Sequence, residues 1–404
     1  MSGAPDATPG HRRLWELATL FLRLGATAFG GPAAHVSMMH DEVVTRRRWL
    51  GEQEFLDLLG ATNLIPGPNS TEMAIHVGLA RARWRGLIVA GMCFILPAML
   101  IVLTLAWAYV EYGETPAVEG LLYGIEPVVI AIVVQALAQL GRTAVKRSAL
   151  LIAVGAGALA LYLAGVNELL LLFGAGMVVV LVRGAGRLRP GVSNGLLALL
   201  GWGGPGLHLG RLVPGAASAA AAVAERTSVE LWRLFLLFLK FGAVIYGSGY
   251  VLFAFIRGDL VDRLGWITEQ ELVDALAVGQ LTPGPVFTTA TFIGYLVGGV
   301  GGALLATLAI FLPGFVFVAA LQPIVRLMRR STWTGDLLDG VNAGAIGLMA
   351  GVTWQLGRDA IVDVPTALLA IAAAAVLFRW KLNSGWLILV GAALGLAATA
   401  AGWV

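Results

Sequence analysis

The sequence predicts an all-α polytopic membrane protein of two homologous halves, an inverted-topology repeat whose helices are interrupted at Pro-Gly-Pro. Three observations carry that prediction. Of 404 residues, 58% are hydrophobic and only 13% charged, with a mean hydropathy of +0.84; a soluble domain carries roughly 25% charged residues. Residues 25–68 align without a gap to residues 242–285. Loop charge alternates along each half, in opposite phase in the two.

The repeat is too specific to come from apolar composition. Gly25, Arg46, Trp49, Glu52, Gln53, Glu54, Asp57 and Pro66-Gly67-Pro68 meet Gly242, Arg263, Trp266, Glu269, Gln270, Glu271, Asp274 and Pro283-Gly284-Pro285. After a one-residue gap, Gly78, Pro97 and Gly124 meet Gly294, Pro313 and Gly340, and Gln139-Leu140-Gly141-Arg142 meets Gln355-Leu356-Gly357-Arg358. The expected units are therefore a first transporter repeat at 1–183, a linker at 184–228 rich in Gly, Ala and Pro, and a second repeat at 229–404.

A membrane-spanning helix needs about 20 apolar residues. Helical segments are expected near 14–30, 86–110, 118–140, 148–165 and 168–183, and again near 230–256, 299–322, 337–356, 362–379 and 384–402. Two broken segments, 53–80 and 270–298, join them, for roughly ten to thirteen spans. Arg81, Arg83 and Arg85 precede the 86–110 segment, whose far end carries Glu111, Glu114 and Glu119. In the second half the corresponding charge has moved to the far end, at Arg326, Arg329 and Arg330. Basic loops mark the cytoplasmic side, so matching loops are expected on opposite faces.

The breaks are the candidate site. Proline lacks an N–H and glycine adds backbone freedom, so Pro66-Gly67-Pro68 and Pro283-Gly284-Pro285 cannot stay helical. In a bilayer such backbone is tolerated only against protein or a water-filled cavity. Half-helices starting after each break would turn positive dipole ends toward it. Ser70, Thr71, Thr288 and Thr289 add hydroxyls, and Asn63 and Gln280 add amides, with Asn69 and Thr282 beside them. Arg23 and Lys240 are repeat-equivalent cations within apolar runs, which makes them substrate-binding candidates; snorkelling or a structural ion pair is the alternative. Together these groups suit a compact, doubly charged oxyanion. Glu72 has no acidic counterpart and is read either as a proton-linked switch or as a partner for Arg23.

Other features are read more plainly. Gly30, Gly31, Gly247, Ser248 and Gly249 are expected to allow close helix approach. Glu52, Glu54 and Asp57, with Glu269, Glu271 and Asp274, are expected to cap and charge the start of the broken helices. His35, His40 and His76 are too scattered for a metal site. Cys93 is a lone cysteine, so neither a disulfide framework nor a Cys-rich metal site is expected. No phosphate-loop motif, nucleophile–base pair or cofactor motif is visible, and basic residues lie in short runs, so neither an enzyme nor a nucleic-acid binder is expected.

These motifs resemble the chromate ion transporter family in its long, two-domain form. The resemblance rests on Phe29-Gly30-Gly31-Pro32 after a helix bearing Arg23, on Trp49-Leu50 before Glu54-Phe55, and on Asn63 followed by Pro66-Gly67-Pro68-Asn69-Ser70-Thr71-Glu72. Gly247-Ser248-Gly249-Tyr250 and Gln280-Leu281-Thr282-Pro283-Gly284-Pro285 add the second-half signature. It implies chromate efflux across the bacterial cytoplasmic membrane, chromate resistance, and sulfate as the similar oxyanion. Arg23, Asn63, Pro66 to Pro68, Glu72 and their second-half partners are the positions it points to. The expected partners are the oxyanion and membrane lipid, with a homodimer allowed. The alternatives are a passive anion channel and an uptake transporter for sulfate-like oxyanions.

Overall fold

Among the described residues, each half contributes the same seven α-helices in the same order. The computed structural model describes residues 10–401 apart from 30, 63, 114, 145–147, 188–230, 247–248, 250, 329–331 and 381–383. The first half comprises α1 (Gly10–Thr27), α2 (Gly31–His40) with a π-helical extension (Asp41–Arg46), α3 (Glu52–Thr62), α4 (Asn69–Tyr112), α5 (Pro116–Ala144), α6 (Ala149–Leu163) and α7 (Glu168–Arg187). The second comprises α8 (Leu231–Val244), α9 (Val251–Ile256) with a π-helical extension (Arg257–Arg263), α10 (Glu269–Leu281), a 3-10 turn (Val286–Thr288), α11 (Thr289–Met328), α12 (Thr332–Ala360), α13 (Val364–Trp380) and α14 (Ser384–Ala400). The expected linker lies almost entirely outside the described residues.

Two long helices are in fact hairpins. In α4, Ala82 and Arg83 leave helical geometry, Arg83 with φ +53°; in α11, Gly298 and Gly299 do the same, Gly299 with φ +59°. Eight residues along a straight helix are about 12 Å apart. Yet a Cβ placed on Gly78 would sit 2.2 Å from the Gly86 carbonyl oxygen, and one on Gly294 would sit 2.5 Å from that of Gly302. The chain doubles back at each turn, and glycine at those crossings lets the two arms touch backbone to backbone. α4 is thus a short arm, 69–81, and a long arm, 84–112.

The expected segment 230–256 is not one helix. α8 ends at Val244 and α9 begins at Val251, matching the gap between α1 and α2. The cause is the run Gly247-Ser248-Gly249, which puts two glycines in an otherwise good helix former. Gly31, at φ +78°, serves a turn, and a Cβ on Gly249 would lie 3.3 Å from the Phe287 ring, a tight contact. Gly30, Gly247 and Ser248 lie outside the described residues. Tighter approaches fall at Gly25 against Phe94 and Gly242 against Ile310, where an added Cβ would lie 2.5 and 2.1 Å from a carbonyl oxygen.

The halves exchange packing partners. α5 packs on α13 and α14, while its counterpart α12 packs on α6 and α7. Gly124 meets Gly391 as Gly340 meets Ala175. Four described segments are long and apolar enough to cross a membrane: Asn69–Tyr112, Pro116–Arg142, Glu168–Ala185 and Val286–Ala320. Ala149–Leu163, Val364–Trp380 and Ser384–Ala400 are apolar but shorter. Along α11, Val300, Leu304, Leu308, Leu312 and Val316 form an exposed apolar stripe at four-residue spacing, a face suited to lipid.

Candidate functional site

The two Pro-Gly-Pro loops sit against the gaps of the opposite half. α3 ends at Thr62 and α4 begins at Asn69, with Pro66-Gly67-Pro68 buried between them. Gly67 adopts φ +136° and Gly284 φ +93°, a region L side chains rarely enter. The Gly67 amide donates to the Ile245 carbonyl at 2.8 Å, just after α8; the Gly284 amide donates to the Ala28 carbonyl at 2.9 Å, just after α1. Ala28 O also accepts from Nε2 of the buried His35 at 3.0 Å. Two repeat-equivalent loops therefore close two repeat-equivalent gaps, each in the other half.

Around this backbone frame the two copies differ. At the first, Glu72 is fully buried and neither carboxyl oxygen has a hydrogen-bond partner among the described residues. An added Cβ on Gly67 would lie 2.2 Å from Glu72 Oε1, and one on Gly314 of α11 would lie 3.6 Å from Glu72 Cγ. His76 follows one turn along, buried, and neither its ring nitrogens nor the buried Thr71 Oγ1 has a partner among the described residues. At the second copy the hydroxyls are satisfied locally. Thr288 donates to Pro285 O at 2.7 Å, Thr289 to Val286 O at 2.8 Å and Thr282 to Val278 O at 2.8 Å. Ser70 and Gln280 are buried nearby and Asn69 is half-buried; Asn63 lies outside the described residues.

Arg23 and Lys240 are placed by a second symmetric device. Arg23 pairs with Glu42 Oε1 at 2.6 Å, and Lys240 pairs with the equivalent Asp259. Each acid also takes the equivalent arginine of its π-helical turn, Arg46 at 2.9 Å and Arg263 at 2.9 Å. The partner of Arg23 is thus Glu42 and not Glu72. Sequence reasoning missed Glu42 and Asp259, although both stand at one shift and are acidic in both copies, the same signal that revealed the cations. Lys240 also lines an open cleft of about 410 Å³ with Trp232, Arg233, Arg263 and Trp266.

The capping expectation holds at one place and fails at another. Thr268 and Glu271 form a reciprocal capping box at the start of α10, at 3.1 and 2.7 Å. Asp274 does no capping; it is buried and accepts from Tyr109 at 2.7 Å. It lies a turn and a half into α10, beyond the orphan amides of the first turn. His40 is half-buried, and its Nε2 donates to Glu52 Oε2 at 2.9 Å.

An all-α, multi-pass membrane protein is the class these elements define. The chain belongs to the chromate transporter family, whose profile matches residues 15–181 and 232–396, one stretch in each half. It is similar to the chromate transport protein of Cupriavidus metallidurans, at 34% identity over 404 residues, covering 98% of this chain and 96% of that protein. A chromate transport protein of Pseudomonas aeruginosa is 31% identical over 411 residues, covering 99% and 94%. A probable chromate transport protein of Synechococcus elongatus is 32% identical over 373 residues, covering 92% and 91%. No solved structure matches the chain. The family is one of transporters and not of enzymes, and the protein is a multi-pass protein of the cytoplasmic membrane.

Proposed function

We propose that this protein is a secondary active transporter that exports chromate, with sulfate as a competing or exchanged oxyanion, by alternating access between two inverted repeats. The repeats are residues 1–183 and 229–404, joined by 184–228. The observation that carries the reading is the reciprocal pair of links, Gly67 N to Ile245 O and Gly284 N to Ala28 O. Each link ties an interrupted stretch of one half to the other half, which supports a reading in which both stretches serve one joint where a small substrate is passed from side to side.

Helix directions support the inversion. α12 runs parallel to α6, since Gly155 meets Ala343 and Tyr162 meets Gly351; it runs antiparallel to α7, since Gly340 meets Ala175 and Gly344 meets Leu171. With α5 and α6 crossing in succession, α12 then opposes α5, its own counterpart. Corresponding helices cross in opposite senses, in keeping with the loop charges.

At the joint, the α4 and α11 N-termini offer amide dipoles, and Thr71, Ser70, Asn69 and Gln280 offer donors to oxyanion oxygens. Hydroxyls at Thr282, Thr288 and Thr289 become available only if their local hydrogen bonds open. Arg23 and Lys240 act at the mouths, where half-exposed ion pairs can trade a carboxylate for a dianion. The test is radiolabelled chromate flux in everted vesicles, with and without a proton gradient and with sulfate as competitor. Uphill accumulation that sulfate reduces is expected; flux that only follows the electrochemical gradient would make the protein a channel.

A further inference from the structure

Away from the Pro-Gly-Pro loops, the molecule buries a second polar cluster, which spans the two halves and has no counterpart at the repeat-equivalent positions. Glu126 of α5 is 6% exposed and Asp274 of α10 is 1% exposed. Gln270 stands one turn before Asp274 on the same face of α10 and touches Glu126, which brings the two buried carboxyl groups close together. Gln270 donates to Glu126 Oε1 at 2.6 Å and Tyr109 of α4 donates to Asp274 Oδ2 at 2.7 Å. Asp274 Oδ1 is buried with no donor among the described residues.

Two ionised carboxylates buried side by side repel each other, and neither can donate to the other, because both are acceptors only. A proton shared by the pair removes that repulsion and supplies the donor that Asp274 Oδ1 lacks among the described residues. The groups bearing on the pair from adjoining elements do not replace it: Tyr109 of α4, Glu271 of α10 and Asp359 of α12 are themselves acids. Burying two acids in a membrane protein is costly and marks a functional position. The fold does not demand them. In the first copy the equivalent Asp57 and Gln53 stand exposed, 3.4 Å apart, and the positions matching Glu126 and Tyr109 are Asn342 and Val325.

We infer that Glu126 and Asp274 form a proton-carrying site that couples proton movement to transport. The pair joins the halves, since α4 and α5 belong to the first and α10 to the second, and α10 leads directly into Pro283-Gly284-Pro285. With the proton present, α10 is tied to α5. With the proton lost, two like charges face each other in a dry site and push α10, and the loop it carries, away. The balance is one proton bound and one released per cycle, the hydrogen bond between the carboxyl groups forming and breaking with it. This rests on the transport reading above and adds the coupling ion to it.

The test uses the purified full-length chain in proteoliposomes with an internal pH dye and chromate as the probe. Wild type is expected to shift lumenal pH as chromate moves. Glu126→Gln and Asp274→Asn are expected to lose that pH shift and about tenfold or more of the gradient-driven flux, while chromate–chromate exchange falls less. Variants that still carry protons with chromate would overturn the assignment. So would a wild type that moves chromate with no protons, which leaves the transport reading standing; a folded wild type that moves no chromate would remove that reading and this one with it. Should both variants fail to insert, Tyr109→Phe supplies the answer. Losing a donor to the carboxylate favours its protonated form, so the midpoint of coupled flux should move to higher pH, and an unmoved midpoint would overturn the site.

Discussion

The two Pro-Gly-Pro copies share a backbone and differ in what they leave unsatisfied. Gly67 and Gly284 take the same kind of left-handed turn and donate to equivalent carbonyls. Beside the first, Thr71, Glu72 and His76 are buried with side-chain atoms that have no partner among the described residues; beside the second, Thr288 and Thr289 bond to their own backbone. The backbone link is present in both halves, whereas the side chains around it differ.

That contrast can be broken most severely at the glycines. Gly284→Ala would force a side chain to φ +93° and within 2.8 Å of the Gly25 backbone oxygen, an obstacle that cannot rotate away. We expect a loss of at least about 2 kcal/mol and near-complete loss of flux, read by thermal unfolding in detergent and by vesicle transport. Gly67→Ala meets the end of the Glu72 side chain instead, so it should unfold less and still fail to transport. If Gly67→Ala transports normally, the two loops are not equivalent parts of one joint.

The next largest effect is expected at Arg23. Arg23→Ala should abolish chromate export while the protein still inserts, since Glu42 keeps Arg46 and Arg47 as partners and a half-exposed pair contributes under about 1 kcal/mol. The exchange Arg23→Glu with Glu42→Arg separates the roles: restored flux would mean that only the ion pair matters, continued loss that the cation itself meets the anion.

Two smaller effects sharpen the comparison. Thr288→Val deletes a satisfied hydrogen bond and should cost about 1 kcal/mol, with transport lowered in step. Thr71→Val removes an unpaired buried hydroxyl, so stability should hold or rise while chromate affinity falls; equal stability losses at both sites would refute the asymmetry. Smallest is the turn between the arms. Gly299 suits φ +59°, whereas Arg83 is strained at φ +53°. Arg83→Gly should therefore stabilise by about 1 kcal/mol and Gly299→Ala should destabilise by a similar amount or more, as read by unfolding midpoints.

How far the sequence reached depends on the kind of signal. The duplication was legible because Trp-x-x-Glu-Gln-Glu-x-x-Asp recurs at one spacing, and the Pro-Gly-Pro loops because two prolines leave no helical alternative. The gap after α8 was not, because Gly247-Ser248-Gly249 only weakens a helix and the flanking residues are strongly apolar. The turns at Ala82-Arg83 and Gly298-Gly299 fall at the expected boundaries between segments 53–80 and 86–110 and between 270–298 and 299–322; what an Ala-Arg dipeptide does not announce is that the first of them is left-handed. Asp274 was read as a capping residue because it shares its register with exposed Asp57. Its partner Glu126 is neither near in sequence nor matched in the repeat, so only three dimensions bring them together.

The reciprocal amide links also bear on how the protein is made. Gly67 is synthesised long before Ile245, so the first loop has to wait for its acceptor until the ribosome is well into the second half. Until then a glycine amide and a fully buried acid sit in an incomplete structure. Neither half is expected to mature alone, and separately expressed halves should be degraded unless they are produced together and find each other in the bilayer.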